Sequence, residues 1–175
     1  MGPQPEKMIS REVAEQDVIA LAERLASLYQ HFAQVLLTEL GEEQTREIIE
    51  KVIKNYGEES GRNARQAVSK MGLEFSADNF SKGSDLPSMG WKAEKKQYSD
   101  GRENTKITFC PLARYWIDRD FTELGRLYCY VDQAKYSAFN PELKCIHVKN
   151  VLEGDAFCEL AVEKREEGCP GEKKK

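Results

Sequence analysis

The chain has 175 residues, 40% of them hydrophobic and 32% charged, and a net charge of -4 at neutral pH. That length supports one domain with a core of its own, and the balance excludes both a disordered chain and a polybasic nucleic-acid binder. Met1 to Lys7 lack the apolar stretch of a secretory leader, Gly2 lacks the downstream serine or threonine of a myristoylation signal, and no later run approaches the roughly 20 apolar residues of a membrane span. The expectation is a cytoplasmic protein with neither a membrane nor nucleic acid as partner.

From Ser10 to Leu40, apolar residues recur at Val18, Leu21, Leu25, Leu28, Phe32, Val35 and Leu36, the three-and-four spacing of one helical face. This predicts a long amphipathic helix ended by Gly41, whose length also offers a surface for a homo-oligomer. A second helix, with Ile49, Val52, Ile53, Tyr56, Ala64, Val68 and Met71 on its pattern, is stopped by Gly72. With so short a connection the two should pack antiparallel. Gly57 and Gly61 fall on one face of the second helix, where another element or a ligand can come close; tight helix packing is the favoured reading.

Between Leu73 and Lys92 the pattern dissolves into turn formers, which predicts a long loop with room for one helical turn, a bridge between layers or a lid. Trp91 to Tyr98 and Thr105 to Phe109 then flank an Asp100-Gly101 turn and read as a hairpin, with Ile107 and Phe109 on one face. Pro111 to Tyr136 reads as helix in two pieces, broken near Asp118 to Phe121. A second hairpin runs from Cys145 to Leu152, turns at Glu153-Gly154-Asp155, and returns from Ala156 to Glu163. Its outgoing strand sets Ile146 and Val148 against Cys145 and His147, and its return strand places Cys158, Leu160 and Val162 inward.

The sum is an α+β fold: two long N-terminal antiparallel helices, then an antiparallel sheet of about four strands in two hairpins, with intervening helices. We expect one domain over residues 1–165, with a helical part at about 10–72 and an α/β part at about 91–163. Residues 166–175, which include Cys169, form a polar tail outside any site.

Candidate chemistry rests on Cys110, Cys129, Asp132 and Cys158. Cys110-Pro111 marks a helix start, with Cys110 as the N-cap, where free amides and the helix dipole favour a thiolate; a buried, inert thiol is the competing reading. Cys129 and Asp132 are three residues apart on one helical face, joined by Tyr136, a spacing that suits nucleophile and base, or two ligands of one metal. Cys158 alone would be core filling. With the other three it completes an alternative metal set for zinc or iron, although the paired knuckles of zinc motifs are absent. His31 and His147 supply little for a Cys-His pair, and no phosphate-binding or dinucleotide glycine fingerprint follows a strand.

Phe109-Cys110-Pro111, then Cys129 and Asp132, then Asn140-Pro141, then Gly154-Asp155 with Cys158, and upstream Tyr56-Gly57, together resemble the L-2-amino-thiazoline-4-carboxylic acid hydrolase family. The resemblance spans roughly Ala20 to Val162 and is strongest after Phe109. It implies hydrolytic opening of a small cyclic amidine that contains sulfur, on a route from an aminothiazoline carboxylate through a carbamoyl-cysteine to cysteine. In that reading a thiolate at Cys110 or Cys129 adds to the ring carbon while Asp132 moves protons, or a metal-bound hydroxide attacks instead. Arg114 or Arg126 could hold the substrate carboxylate, a surface role being favoured for each. The alternatives are a small-molecule- or metal-binding sensory domain similar to the vinyl-reductase-like domains, and a degenerate member whose cysteines only pack the core.

Overall fold

Ser10 starts the first helix by accepting a hydrogen bond from the Val13 amide at 3.2 Å, and Gly41, at φ 77°, ends it. The resulting α1 spans Arg11–Leu40 and α2 spans Glu42–Lys70. These elements belong to a computed structural model that describes residues 8–87 and 89–165. The tail expected over 166–175 lies outside the described residues.

The face of α1 that meets the protein is not the expected one. Ala22, Ala26, Gln30 and Ala33 are buried, whereas Leu21 is 67% exposed, Phe32 65% and Val35 59%. The alanine stripe lies one residue around the helix from the leucines, and its small side chains let the backbone approach Trp116, whose indole nitrogen donates to the Ala26 carbonyl at 3.0 Å. Close approach, not side-chain size, decides which stripe faces in.

The loop after α2 contains about two helical turns, α3 (Ala77–Gly83). Then follow β1 (Lys92–Gln97), β2 (Glu103–Phe109), α4 (Pro111–Ile117), α5 (Thr122–Tyr128), α6 (Tyr130–Phe139), β3 (Leu143–Lys149), a 3-10 turn at Val151–Glu153 and β4 (Cys158–Lys164). Both hairpins form, and they join through β2 and β4 into one antiparallel sheet of order β1-β2-β4-β3. Gly101 makes the first turn at φ 86°. The second connection is wider than the sequence predicts, because Asn150 caps the 3-10 turn through Leu152 and the turn itself uses residues expected in the strand.

On β3 the inward face is Leu143, Cys145 and His147, while Val148 is exposed. A strand with both apolar and polar residues on each face has a weak alternation signal, and its pairing with β4 sets the orientation.

α2 packs against α1 but lies mainly along α6. Gly57 makes that possible: a Cβ there would stand 2.7 Å from both the Val131 carbonyl oxygen and the Ala134 methyl, and one at Gly61 would collide with the Lys135 carbonyl. Helix packing is therefore their role. A large apolar cluster centres on Leu112, Trp116, Leu124, Leu127 and Val131, and a second on Val68, Phe80 and Phe139. Among the described residues no helix is long and apolar enough to cross a membrane.

Candidate functional site

Cys110 caps α4, as the Cys-Pro junction predicts, with Pro111 in the first turn. Its thiol does not ionise easily. Burial pushes its pKa up despite the Ala113 and Leu112 amides and the Trp91 side chain that favour the anion. The expectation of a ready thiolate is thus corrected: α4 has only seven residues, and its dipole does not offset desolvation.

Cys129 occupies the joint between α5 and α6 rather than the middle of one helix. Its φ of -63° and ψ of -16° keep the helical sense, so Asp132, in the first turn of α6, still lies beside it. Burial pushes the Cys129 thiol up to about 12, the neighbouring Asp132 and Cys110 adding to the rise and Asn150 and Arg126 opposing it.

Cys158 begins β4 and accepts a hydrogen bond from the Val151 amide at 3.4 Å. Burial raises its pKa too, with Arg126 pulling it down. The four residues singled out in the sequence therefore share one locality: Cys110 feels Cys158, Cys129 feels Cys110, and Asp132 acts on both Cys129 and Cys158. Among the described residues no three His, Cys, Asp or Glu side chains form a group able to hold a metal ion. The alternative set of Cys110, Cys129, Asp132 and Cys158 does not fit a zinc or iron centre in this geometry, and no chemistry is routed through one.

Four further residues complete the locality. His147, its side chain only 4% exposed, sets Nε2 3.4 Å from Asp132 Oδ2, while its Nδ1 is buried without a partner. The sequence does not reveal this, because the alternation along β3 leaves open which of its faces turns inward. Asn150 is fully buried; its backbone amide donates to Asp155 Oδ2 at 2.8 Å and its Oδ1 accepts from the Leu152 amide at 2.9 Å. Those bonds turn its otherwise unpartnered Nδ2 toward Cys129. The Gly154-Asp155 motif is thereby explained as the clamp that fixes Asn150, with Gly154 at φ 93° closing the turn.

Arg126 is not a surface arginine: its side chain is 15% exposed, and its Nε lies 3.1 Å from Glu153 Oε1 without hydrogen-bond alignment. Its Nη1 is buried without an acceptor. Arg114, by contrast, is exposed and paired with Asp118 at 3.0 Å. Tyr128 lies between Tyr29, which it meets edge-on, and Tyr56, and burial raises its pKa, with Tyr56 and Asp132 contributing. This gives the Tyr56-Gly57 pair two tasks: the ring reaches Tyr128, and the missing side chain admits α6. Asn140 has a structural task, capping α6 and donating to the Phe75 carbonyl at 2.9 Å.

The sequence model of a family described as L-2-amino-thiazoline-4-carboxylic acid hydrolase matches residues 21–162. No curated protein matches the chain. Among solved structures, a trafficking protein particle complex subunit 3 from Naegleria fowleri, crystallised covalently bound to palmitic acid, shares the fold with a TM-score of 0.52. It is 17% identical, and the superposition covers 84% of this chain and 96% of that one, so the likeness concerns architecture alone.

Proposed function

The chain belongs to the L-2-amino-thiazoline-4-carboxylic acid hydrolase family, and we propose that it opens a small cyclic amidine or thiazoline ring with Cys129 as nucleophile and Asp132 as proton carrier. The observation that supports this reading is one carboxylate shared between a thiol and a buried imidazole: Asp132 lies 3.4 Å from His147 Nε2 and acts electrostatically on Cys129, three residues before it. Carboxylate, thiol and imidazole in one place are the parts of nucleophilic catalysis with proton transfer.

With its pKa near 12, Cys129 rests as a neutral thiol, so attack and deprotonation occur together. The sulfur adds to ring carbon 2 as its proton passes to Asp132. The carbon–sulfur bond of the ring breaks next, and the departing sulfur takes that proton. Water then adds to the Cys129-bound carbon, and cleavage of the Cys129 sulfur–carbon bond returns the thiol and releases a carbamoyl product. The balance is one substrate and one water to one ring-opened thiol. Asn150 Nδ2 and Arg126 Nη1, both without an acceptor, supply hydrogen bonds to the substrate, Arg126 to its carboxylate and Asn150 near the reacting carbon. Cys110, whose thiol is coupled to Cys129, is the second candidate nucleophile.

The test is release of a new thiol from 2-aminothiazoline-4-carboxylate and related cyclic amidines. Cys129→Ser and Asp132→Asn should each lower turnover by about a hundredfold or more, whereas a Cys129→Ser variant as active as the wild type removes Cys129 as nucleophile. A second reading is favoured by one observation, that burial raises the pKa of every thiol of the site: a ligand-binding domain without turnover. Saturable binding of the same compounds with no thiol released would establish it.

A further inference from the structure

We propose that two copies of this chain join through an antiparallel contact of α1 with its symmetry mate. The protein leaves outside the more apolar of the two stripes on α1. Leu21, Leu25, Leu28, Phe32 and Val35 are all large, exposed and aligned, while the inward stripe is made of alanines and Gln30. A continuous apolar strip of this kind on a folded surface marks an interaction site.

The spacing names the occupant as a helix. Alternating steps of four and three keep these side chains in one narrow stripe, the a/d arrangement along which two helices pack. Val18, half-buried beside Gly90, extends it by one position toward the N-terminus. Toward the C-terminus the next seam position is Glu39.

The partner is a second copy because the seam complements its own reverse. In antiparallel register Leu25 faces Leu28, Leu21 faces Phe32 and Val18 faces Val35, each layer occurring twice about the two-fold axis. Layers then match in size and contain no polar side chain. Glu39 falls opposite Ala14, so no two carboxylates face each other on the seam. A parallel pair would instead set Glu39 against Glu39 on the seam and Phe32 against Phe32 beside Val35 against Val35. The five exposed side chains offer on the order of 500 Å² per copy, and with the residues flanking them the contact approaches the ~800 Å² per partner of a stable interface.

Sedimentation of the full chain up to about 100 μM should show twice the 20.0 kDa mass of one chain. Leu28→Glu, at a position already in solvent, should weaken the dimer at least tenfold while leaving the circular dichroism of the fold unchanged. Leu21→Glu and Phe32→Lys should each give monomers, and the double variant should dimerise again, because only antiparallel pairing places the new carboxylate against the new ammonium. A monomer throughout the concentration range, a dimer indifferent to Leu28→Glu, or a double variant that stays monomeric overturns the proposal. So does a complex that forms only with a different protein.

Discussion

Burial governs the thiols at the residue scale. Cys129 is held near pKa 12 mainly because its thiolate would lose water, and the Asn150 side chain is the group that most favours the anion. Alkylation by iodoacetamide should therefore be slow at pH 7.5 relative to the unfolded chain and accelerate steadily through pH 10. Asn150→Ala should slow it further, and an increase instead would show that Asn150 shields the sulfur. His147 acts through Asp132, so His147→Gln should lower kcat by about tenfold, leave KM little changed and shift the pH profile of turnover. An unshifted profile would make the histidine structural only. At this scale the sequence showed Cys110, Cys129, Asp132 and Cys158, because reactive side chains name themselves. It offered Arg126 only beside Arg114 and with a surface role favoured, and it passed over His147 and Asn150: a histidine on a strand of mixed polarity, an asparagine before a turn and an arginine in a short helix are ordinary until the fold removes their water.

At the element scale, the joint between α2 and α6 positions the chemistry. α6 begins at Tyr130 and carries Asp132 in its first turn, and the close approach at Gly57 and Gly61 fixes where that turn sits. Alanine at Gly57 would gain about 1 kcal/mol of helix propensity but meet the Val131 carbonyl at 2.7 Å. The overlap is with backbone, which moves only if the helices separate, so the net cost should be about 1–3 kcal/mol. Gly57→Ala and Gly61→Ala should each lower the midpoint of thermal unfolding, and Gly57→Ala should reduce turnover as well by moving Asp132. A stabilised Gly57→Ala protein would refute the close packing. The helices themselves, both hairpins and the small-residue contact were legible in the sequence, since caps, turns and glycine spacing are local signals. The buried stripe of α1 was not, because a 3.5-residue apolar repeat is identical whether it faces its own core or another molecule. The orientation of β3 was not either, since it follows from pairing with β4 and not from the strand's own alternation.

At the scale of the whole molecule, the two hairpins, distant in sequence, are held as one sheet by β2 against β4, and a buried carboxylate sits at that seam. Glu159 is fully buried, opposite Lys106 in the register, and binds Lys96 Nζ at 2.9 Å, Asn104 Nδ2 at 2.6 Å and the Tyr98 hydroxyl. Burial opposes its charge, yet these three donors outweigh it and bring the pKa down to about 2. A carboxyl whose pKa falls on folding contributes stability that is complete above its unfolded value, near 4.3. That contribution fades as pH drops from there toward 2, because below both values the two states bind the proton equally. The thermal midpoint of the wild type should therefore decline between about pH 5 and pH 2. Glu159→Gln keeps the shape but removes the charge, leaving the Lys96 ammonium without its anion and two donors with a weaker acceptor. Its midpoint should already be lower at pH 7, and its decline across the acid range should be shallower than that of the wild type. Parallel acid curves for the two proteins would show that Glu159 does not couple the sheet to pH, and that the exposed carboxylates of the turns produce the decline.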